Sequence, residues 1–132
     1  MKYDRLTRFL KVDVKGVEYS LRLTVGMFEE LEDILPKGTT LMSMFMNQET
    51  PQIKVLRKAF CIGLVKDGTK VKNEEALKVF SDYCDENGIQ GAVSVFYAVL
   101  AASHLLGAEA SKAMLESMGL VVKDTEEAPK NA

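Results

Sequence analysis

Tryptophan is absent from this chain, histidine occurs once and cysteine twice, and each scarcity removes a class of chemistry. Two cysteines cannot build a disulfide framework. Cys61 and Cys84 both sit in apolar helical patterns and read as reduced, buried thiols of a cytoplasmic protein. Together with His104 they fall short of four zinc ligands, and the short-spaced ligand pairs of structural zinc sites are missing. No apolar run reaches the roughly 20 residues that a membrane-spanning helix needs. Residues 1–8 have no apolar core of the signal-peptide kind. An excess of one charge is lacking too: the net charge is −2, so no global pull toward nucleic acid or acidic membranes is expected.

The remaining polar motifs read as structure rather than chemistry. Nucleophilic catalysis on His104 with Cys84 or Cys61 would need a base and an orienting acid in a recognisable arrangement, and the sequence carries no such signature. His104 reads as a satisfied buried or interfacial histidine. Glu29, Glu30, Glu32 and Asp33 lack the alternating loop pattern of a calcium site and read as a solvated helix face. Gly68, Thr69 and Lys70 have a phosphate loop's residue types in the wrong order, with no glycine-rich run before a helix. Two basic groups, Lys2/Arg5/Arg8/Lys11 and Lys54/Arg57/Lys58, are interspersed with acids and have no aromatic stacking platform beside them. They read as solvated surface, so neither nucleic acid nor a membrane is expected as a partner. No catalytic residue, metal ligand or cofactor site is predicted.

What is present is periodicity. Leu10, Val12 and Val14 alternate with Phe9, Lys11 and Asp13; then Val17, Tyr19, Leu21 and Leu23 alternate with Glu18, Ser20, Arg22 and Thr24. Period two predicts strands over 9–13 and 17–24 with one wet face, joined by a Lys15-Gly16 turn. A lone hairpin is marginal, so this one must pack on helices or join another sheet. Thr24 is placed to cap a helix over 25–35 with Met27, Phe28, Leu31, Ile34 and Leu35 on one face, stopped by Pro36 and Gly38.

A short helix over 41–46 follows. Thr50 and Pro51 then open a helix to about Lys66, with Ile53, Leu56, Phe60 and Leu64 on one stripe, widened by Val55, Ala59 and Ile62. Asp67-Gly68 marks a turn. Asn73 caps a helix over 74–87 with Ala76, Leu77, Phe80, Tyr83 and Cys84 inward, and Gly88 fits the position after its end. Residues 92–106 are apolar almost all round and read as the central helix; a last helix spans 109–118. The expectation is an α+β protein, mostly α: an N-terminal β-hairpin (about 9–24) packed on a bundle of about five helices. It forms a single domain over 1–122, and a disordered polar tail spans 123–132.

Methionine is abundant, and Met42, Met44 and Met46 cluster with Leu41 and Phe45 in one short segment. Such a segment cannot hide every apolar group on a narrow face. It reads either as a lid over the core or as a soft apolar patch that receives a partner segment. Phe96, Tyr97 and Leu100, on one flank of the central helix, are further candidates for that surface. The edge of the hairpin is a place where a second copy could pair, giving a dimer or ring.

The run VDVKGVEYSLRLTVGMFEELE, residues 12–32, resembles the opening of small tail assembly chaperones of long-tailed bacteriophages, including those of prophages and gene-transfer-agent clusters. In that family a hairpin of the form G-x-x-Y-x-L-R-L-T leads into a helix of the form E-x-L-E. Here those positions are Gly16, Tyr19, Leu21, Arg22, Leu23 and Thr24, then Glu29, Leu31 and Glu32. The likeness covers residues 9–107; the segment 41–46 has no counterpart in the family pattern. The resemblance implies a non-enzymatic protein of the host cytoplasm that binds the tape measure protein and keeps it soluble. It also implies help in recruiting tail tube protein, and absence from the mature virion. A longer product made by programmed frameshifting is a further implied partner.

Three other readings compete. A head–tail connector or tail completion protein would remain in the virion. A small DNA-binding regulator would need a basic, polar recognition helix, and Lys54, Arg57 and Lys58 lie on a helix too apolar elsewhere. An enzyme would have to be built on His104 and a thiol.

Overall fold

A computed structural model describes residues 1–120. The polar tail expected over 123–132, and the last two residues of the expected domain, lie outside the described residues. The chain runs β1 (Lys2–Tyr3), β2 (Leu10–Val14), β3 (Val17–Leu21), α1 (Val25–Glu32), α2 (Leu41–Asn47), α3 (Ile53–Gly63), β4 (Leu64–Lys66), β5 (Thr69–Lys70), α4 (Asn73–Ser103) and α5 (Ala108–Ser117). The class is α+β, mostly α, as the periodicity predicts. The hairpin, however, is the centre of a five-stranded antiparallel sheet in the order β1-β2-β3-β4-β5.

The alternating pattern does what period two requires. Leu10, Val12, Val14, Tyr19, Leu21 and Leu23 are buried, while Asp13, Glu18 and Arg22 face water. Val14 pairs with Val17 and Lys66 with Thr69, so each hairpin closes on two residues. Lys15 (φ 49) with Gly16 (φ 81), and Asp67 (φ 50) with Gly68 (φ 79), put both loop residues at positive φ. That is the backbone whose twist matches its strands. β1 and β4 flank β2 and β3 but pair with them over two residues each, at Leu10 and Lys11 on β2 and at Ser20 and Leu21 on β3. The outer sides of residues 12–14 and 17–19 take no strand partner among the described residues. The sheet's outer strands are only two residues long.

Helix α3 ends at Gly63, and the expected continuation to Lys66 is a strand instead. The reason is a close approach. The amide of Arg22 donates to the Gly63 carbonyl at 3.2 Å. A Cβ on Gly63 would stand 2.9 Å from the Arg22 carbonyl oxygen and 3.1 Å from Leu23 Cδ2. Only a residue without a side chain lets β3 lie this close. The next residues, Leu64 and Val65, then pair with Leu21 and Ser20. Lys70 on β5 folds back, and its ammonium donates to the Cys61 carbonyl at 3.3 Å, satisfying one of the acceptors left at the end of α3.

Other boundaries move by local chemistry. Thr24 caps α1 as expected, accepting from the Met27 amide at 3.4 Å. The helix ends at Glu32, however, so Ile34 and Leu35 lie in the turn beyond it. Gln52, not Thr50, precedes α3, which leaves Pro51 outside the helix and Ile53, at its first position, 56% exposed. Gly88 splits α4 into 73–87 and 89–103 with φ 71 and ψ 175, a conformation open essentially to glycine alone. The sheet rests on α4: at the hairpin tip the Lys15 amide donates to a Glu86 carboxylate at 2.7 Å and its ammonium lies 3.5 Å from Asp82.

One apolar cluster joins the sheet to every helix, and Leu10, Leu21, Leu31, Leu64 and Leu100 in it are fully sequestered. Each such leucine contributes about 1.5–3 kcal/mol. The exposed pairs Lys11–Glu18 and Lys58–Glu30, at 3.7 and 3.9 Å, belong to a class worth about 0–1 kcal/mol. Burial therefore decides the fold. Replacing Gly63 by Ala should destabilise the protein by about 1–3 kcal/mol in urea unfolding, because Arg22 or α3 must shift. An unchanged unfolding midpoint would show that the approach of β3 to α3 is not tight.

Candidate partner-binding site

Thr40 and Ser43 form a reciprocal cap at the start of α2: each backbone amide is held by the other's hydroxyl, at 3.0 and 3.1 Å. This cap fixes the rotational phase of a helix too short to fix its own. Leu41, Met44 and Phe45 then point inward and are buried, while Met42 and Met46 are 45% and 67% exposed. Glu32, at the end of α1, adds a carboxylate that accepts from the Leu41 amide at 2.9 Å.

Tyr97 on α4 meets α2 from below. Phe96, Tyr97 and Leu100 are all buried on α4. The Tyr97 ring lies 6.3 Å from Phe45 and 5.2 Å, edge-on, from Phe96. Its hydroxyl donates to the Met44 carbonyl at 3.0 Å and also closes on the Glu49 carbonyl. Burial, with the nearby Glu49 charge, pushes the Tyr97 phenol up to about 12, so it stays a donor.

The expected partner-binding set is thus brought together, but mostly inside the common core. Leu41, Met44, Phe45, Phe96, Tyr97 and Leu100 are core here, and of that set only Met42 and Met46 present a free apolar surface. A shallow groove of about 200 Å³ beside Tyr97 is lined also by Val93, Met114 and Met118.

His104 lies past the end of α4 rather than within it, in the left-handed region at φ 62. Its Nε2 is 3.1 Å from the Tyr3 hydroxyl, and the two rings stack. A neutral ring protonated at Nδ1 accepts that phenol proton. Burial, with Arg8 adding, pushes the imidazole below its ordinary value. Burial also pushes both thiols up, Cys61 against the opposing pull of Arg57, Lys70 and Lys58, and Cys84 with help from Asp85. Raised thiols are weak nucleophiles at neutral pH. Among the described residues no group of His, Cys, Asp and Glu could hold a metal ion, and no helix is long and apolar enough to cross a membrane.

The sequence reading missed a cleft. Ile34 after α1, Ile62 on α3 and Leu77 on α4 line an open depression of about 390 Å³, with Lys54, Arg57 and Lys58 along it. Leu77, expected inward, is 40% exposed because it forms this wall. Lys54, Arg57 and Lys58 recur at i, i+3 and i+4, so they share one helix face. That spacing was the signal available in the sequence; the apolar wall comes from separate elements and was not.

Compared with protein-family models, with curated proteins and with solved structures, the chain matches none.

Tyr97→Phe should lower stability by about 1–2 kcal/mol and speed amide exchange in α2, since the buried hydroxyl that ties α4 to the Met44 and Glu49 carbonyls is lost. Exchange unchanged in 41–47 would remove Tyr97 as the latch. For His104 the sign follows from its lowered pKa. The unfolded chain takes up a proton near the ordinary value of 6.5 that the folded chain resists. Stability is full above that value and declines as pH falls from it toward the folded pKa. The Tm of the wild type should therefore fall between about pH 7 and pH 5.5, and His104→Asn, which tolerates the left-handed backbone, should fall less. Equal falls would assign the loss elsewhere.

Proposed function

We propose that this chain is a tail assembly chaperone of a long-tailed bacteriophage or prophage. It acts without catalysis in the cytoplasm of the bacterial host. It binds and keeps soluble the long, helical tape measure protein, helps recruit tail tube protein, and leaves before the tail is complete. A longer, frameshifted form of itself is a further partner.

The observation that carries this reading is the run of residues 12–32, whose family-like positions other than the exposed Glu29 have structural roles. Gly16 turns the hairpin, and Tyr19, Leu21, Leu23 and Leu31 are buried. Arg22 reaches α3 through its amide and the Thr7 carbonyl through its guanidinium at 3.2 Å. Thr24 caps α1, and Glu32 holds the first amide of α2. Physical support comes from apolar side chains left in water on neighbouring helices, Met42, Met46, Ile53 and Leu77. Shielding an apolar helix of a partner needs such deformable apolar surface. Against an enzyme stand the raised thiols and a histidine turned to Tyr3.

Co-expression with the tape-measure-type protein encoded nearby should give a soluble, stoichiometric complex, with this chain missing from purified particles. Failure to bind, together with presence in particles, would replace this reading with a head–tail connector or completion protein. Polar substitution of Met44 and Phe45 is not a test of binding, because both are core. Met42→Gln with Met46→Gln alters the free surface and leaves the core intact.

A further inference from the structure

We propose that the cleft along α3 docks an amphipathic helix of a partner protein, one whose apolar stripe is flanked by carboxylates. The identity of that partner rests on the chaperone reading; the docking chemistry does not.

The floor is apolar: Ile34, Ile62 and Leu77 converge from the turn after α1, from α3 and from α4. The rim is cationic. Lys58 has a distant partner in Glu30 at 3.9 Å, whereas Lys54 and Arg57 make no ion pair among the described residues. The sequence of α3 contains no acidic residue. The cleft thus places cations without ion-pair partners among the described residues beside a partly exposed apolar floor. An incoming segment satisfies both only if it brings apolar anchors and carboxylates together.

Shape favours a helix over a small ligand. The depression is open to solvent, so a compact molecule would keep much of its surface in water, whereas a helix laid across it inserts only its anchors. Chemistry disfavours nucleic acid: no aromatic ring lines the cleft to stack a base, and Glu30 stands at the cationic rim. A second copy of the chain does not supply the segment from its acidic helix α1, whose Leu31 is already buried in its own core.

The test uses the full chain and synthetic probes. One fluorescein-labelled peptide of about 18 residues, five helical turns, carries a Leu/Ile stripe flanked by Glu; its twin carries Lys instead. Anisotropy titrations are run at about 50 and 500 mM NaCl. The acidic peptide should bind at least about tenfold tighter than its twin and weaken with salt. Lys54→Glu with Arg57→Glu should weaken it by about tenfold or more, and Leu77→Ser should weaken it at both salts. Lys2→Glu, on β1, should change nothing. Circular dichroism and Tm establish that each variant is folded.

Equal binding of the twins, or an unaffected double variant, would overturn the proposal. So would tighter, salt-dependent binding of a single-stranded RNA oligonucleotide. Co-expression with the tape-measure-type protein separates the two readings. If wild type and double variant solubilise it equally, the cleft is wrong and the chaperone reading stands. If neither solubilises it while the peptides obey the charge pattern, the cleft stands and the chaperone reading falls.

Discussion

The absence of a side chain at Gly63 is the constraint on which the rest of the molecule depends. Helix α3 and the N-terminal hairpin meet there at backbone distance, with the Arg22 amide bonded to the Gly63 carbonyl. Because the chain leaves the helix at that contact, it enters the sheet as β4, and the sheet gains β5 and a covered edge. The same exit sets where α3 stops. This lets Lys70 return over its carboxy-terminal carbonyls and places Leu64, fully buried, in the common core. Without the contact the sheet would stop at three strands, β1 to β3, held to the helices by α4 and the common core alone.

Most of the side chains between Gly16 and Glu32 on which the proposed resemblance rests are architectural. Tyr19, Leu21, Leu23 and Leu31 are interior, and Tyr19 also lies under the Lys66 ammonium at 5.9 Å. Arg22, Thr24 and Glu32 each join two segments by hydrogen bonds. A motif of this kind specifies how a sheet is set against a helix. The outward faces of α2 and α3 take no part in that contact, and those are the faces where apolar and cationic groups stand in water.

Legibility in the sequence followed the range of the interactions. The hairpin 10–21, the Thr24 cap and the break at Gly88 were readable because alternation, caps and glycines act within a few residues. Strands β1, β4 and β5 were not, since two- or three-residue strands carry no period and exist only through distant partners. Residues 64–66 continue the apolar stripe of α3, and only the approach of Arg22 turns them into a strand. The Met-rich segment is too apolar to bury completely, and Met42 and Met46 stay 45% and 67% exposed. Which of its residues would face out depended on the Thr40–Ser43 cap. Of the cleft only the cationic face of α3 is legible, through the spacing of Lys54, Arg57 and Lys58; its apolar wall is assembled from three segments remote in sequence.

The glycine at 88 makes the longest helix a jointed rod. Its first part, 73–87, is held by the hairpin tip through Asp82 and Glu86 and contributes Leu77 to the cleft. Its second part, 89–103, is held by α2 through Tyr97 and runs on to His104, which meets β1. The turn at Gly88 redirects the chain, so that one half lines the cleft while the other meets α2. The halves remain tied: the Tyr83 hydroxyl donates to the Gly91 carbonyl at 3.5 Å across the break, and both sit in one apolar core. The joint changes direction without dividing the molecule.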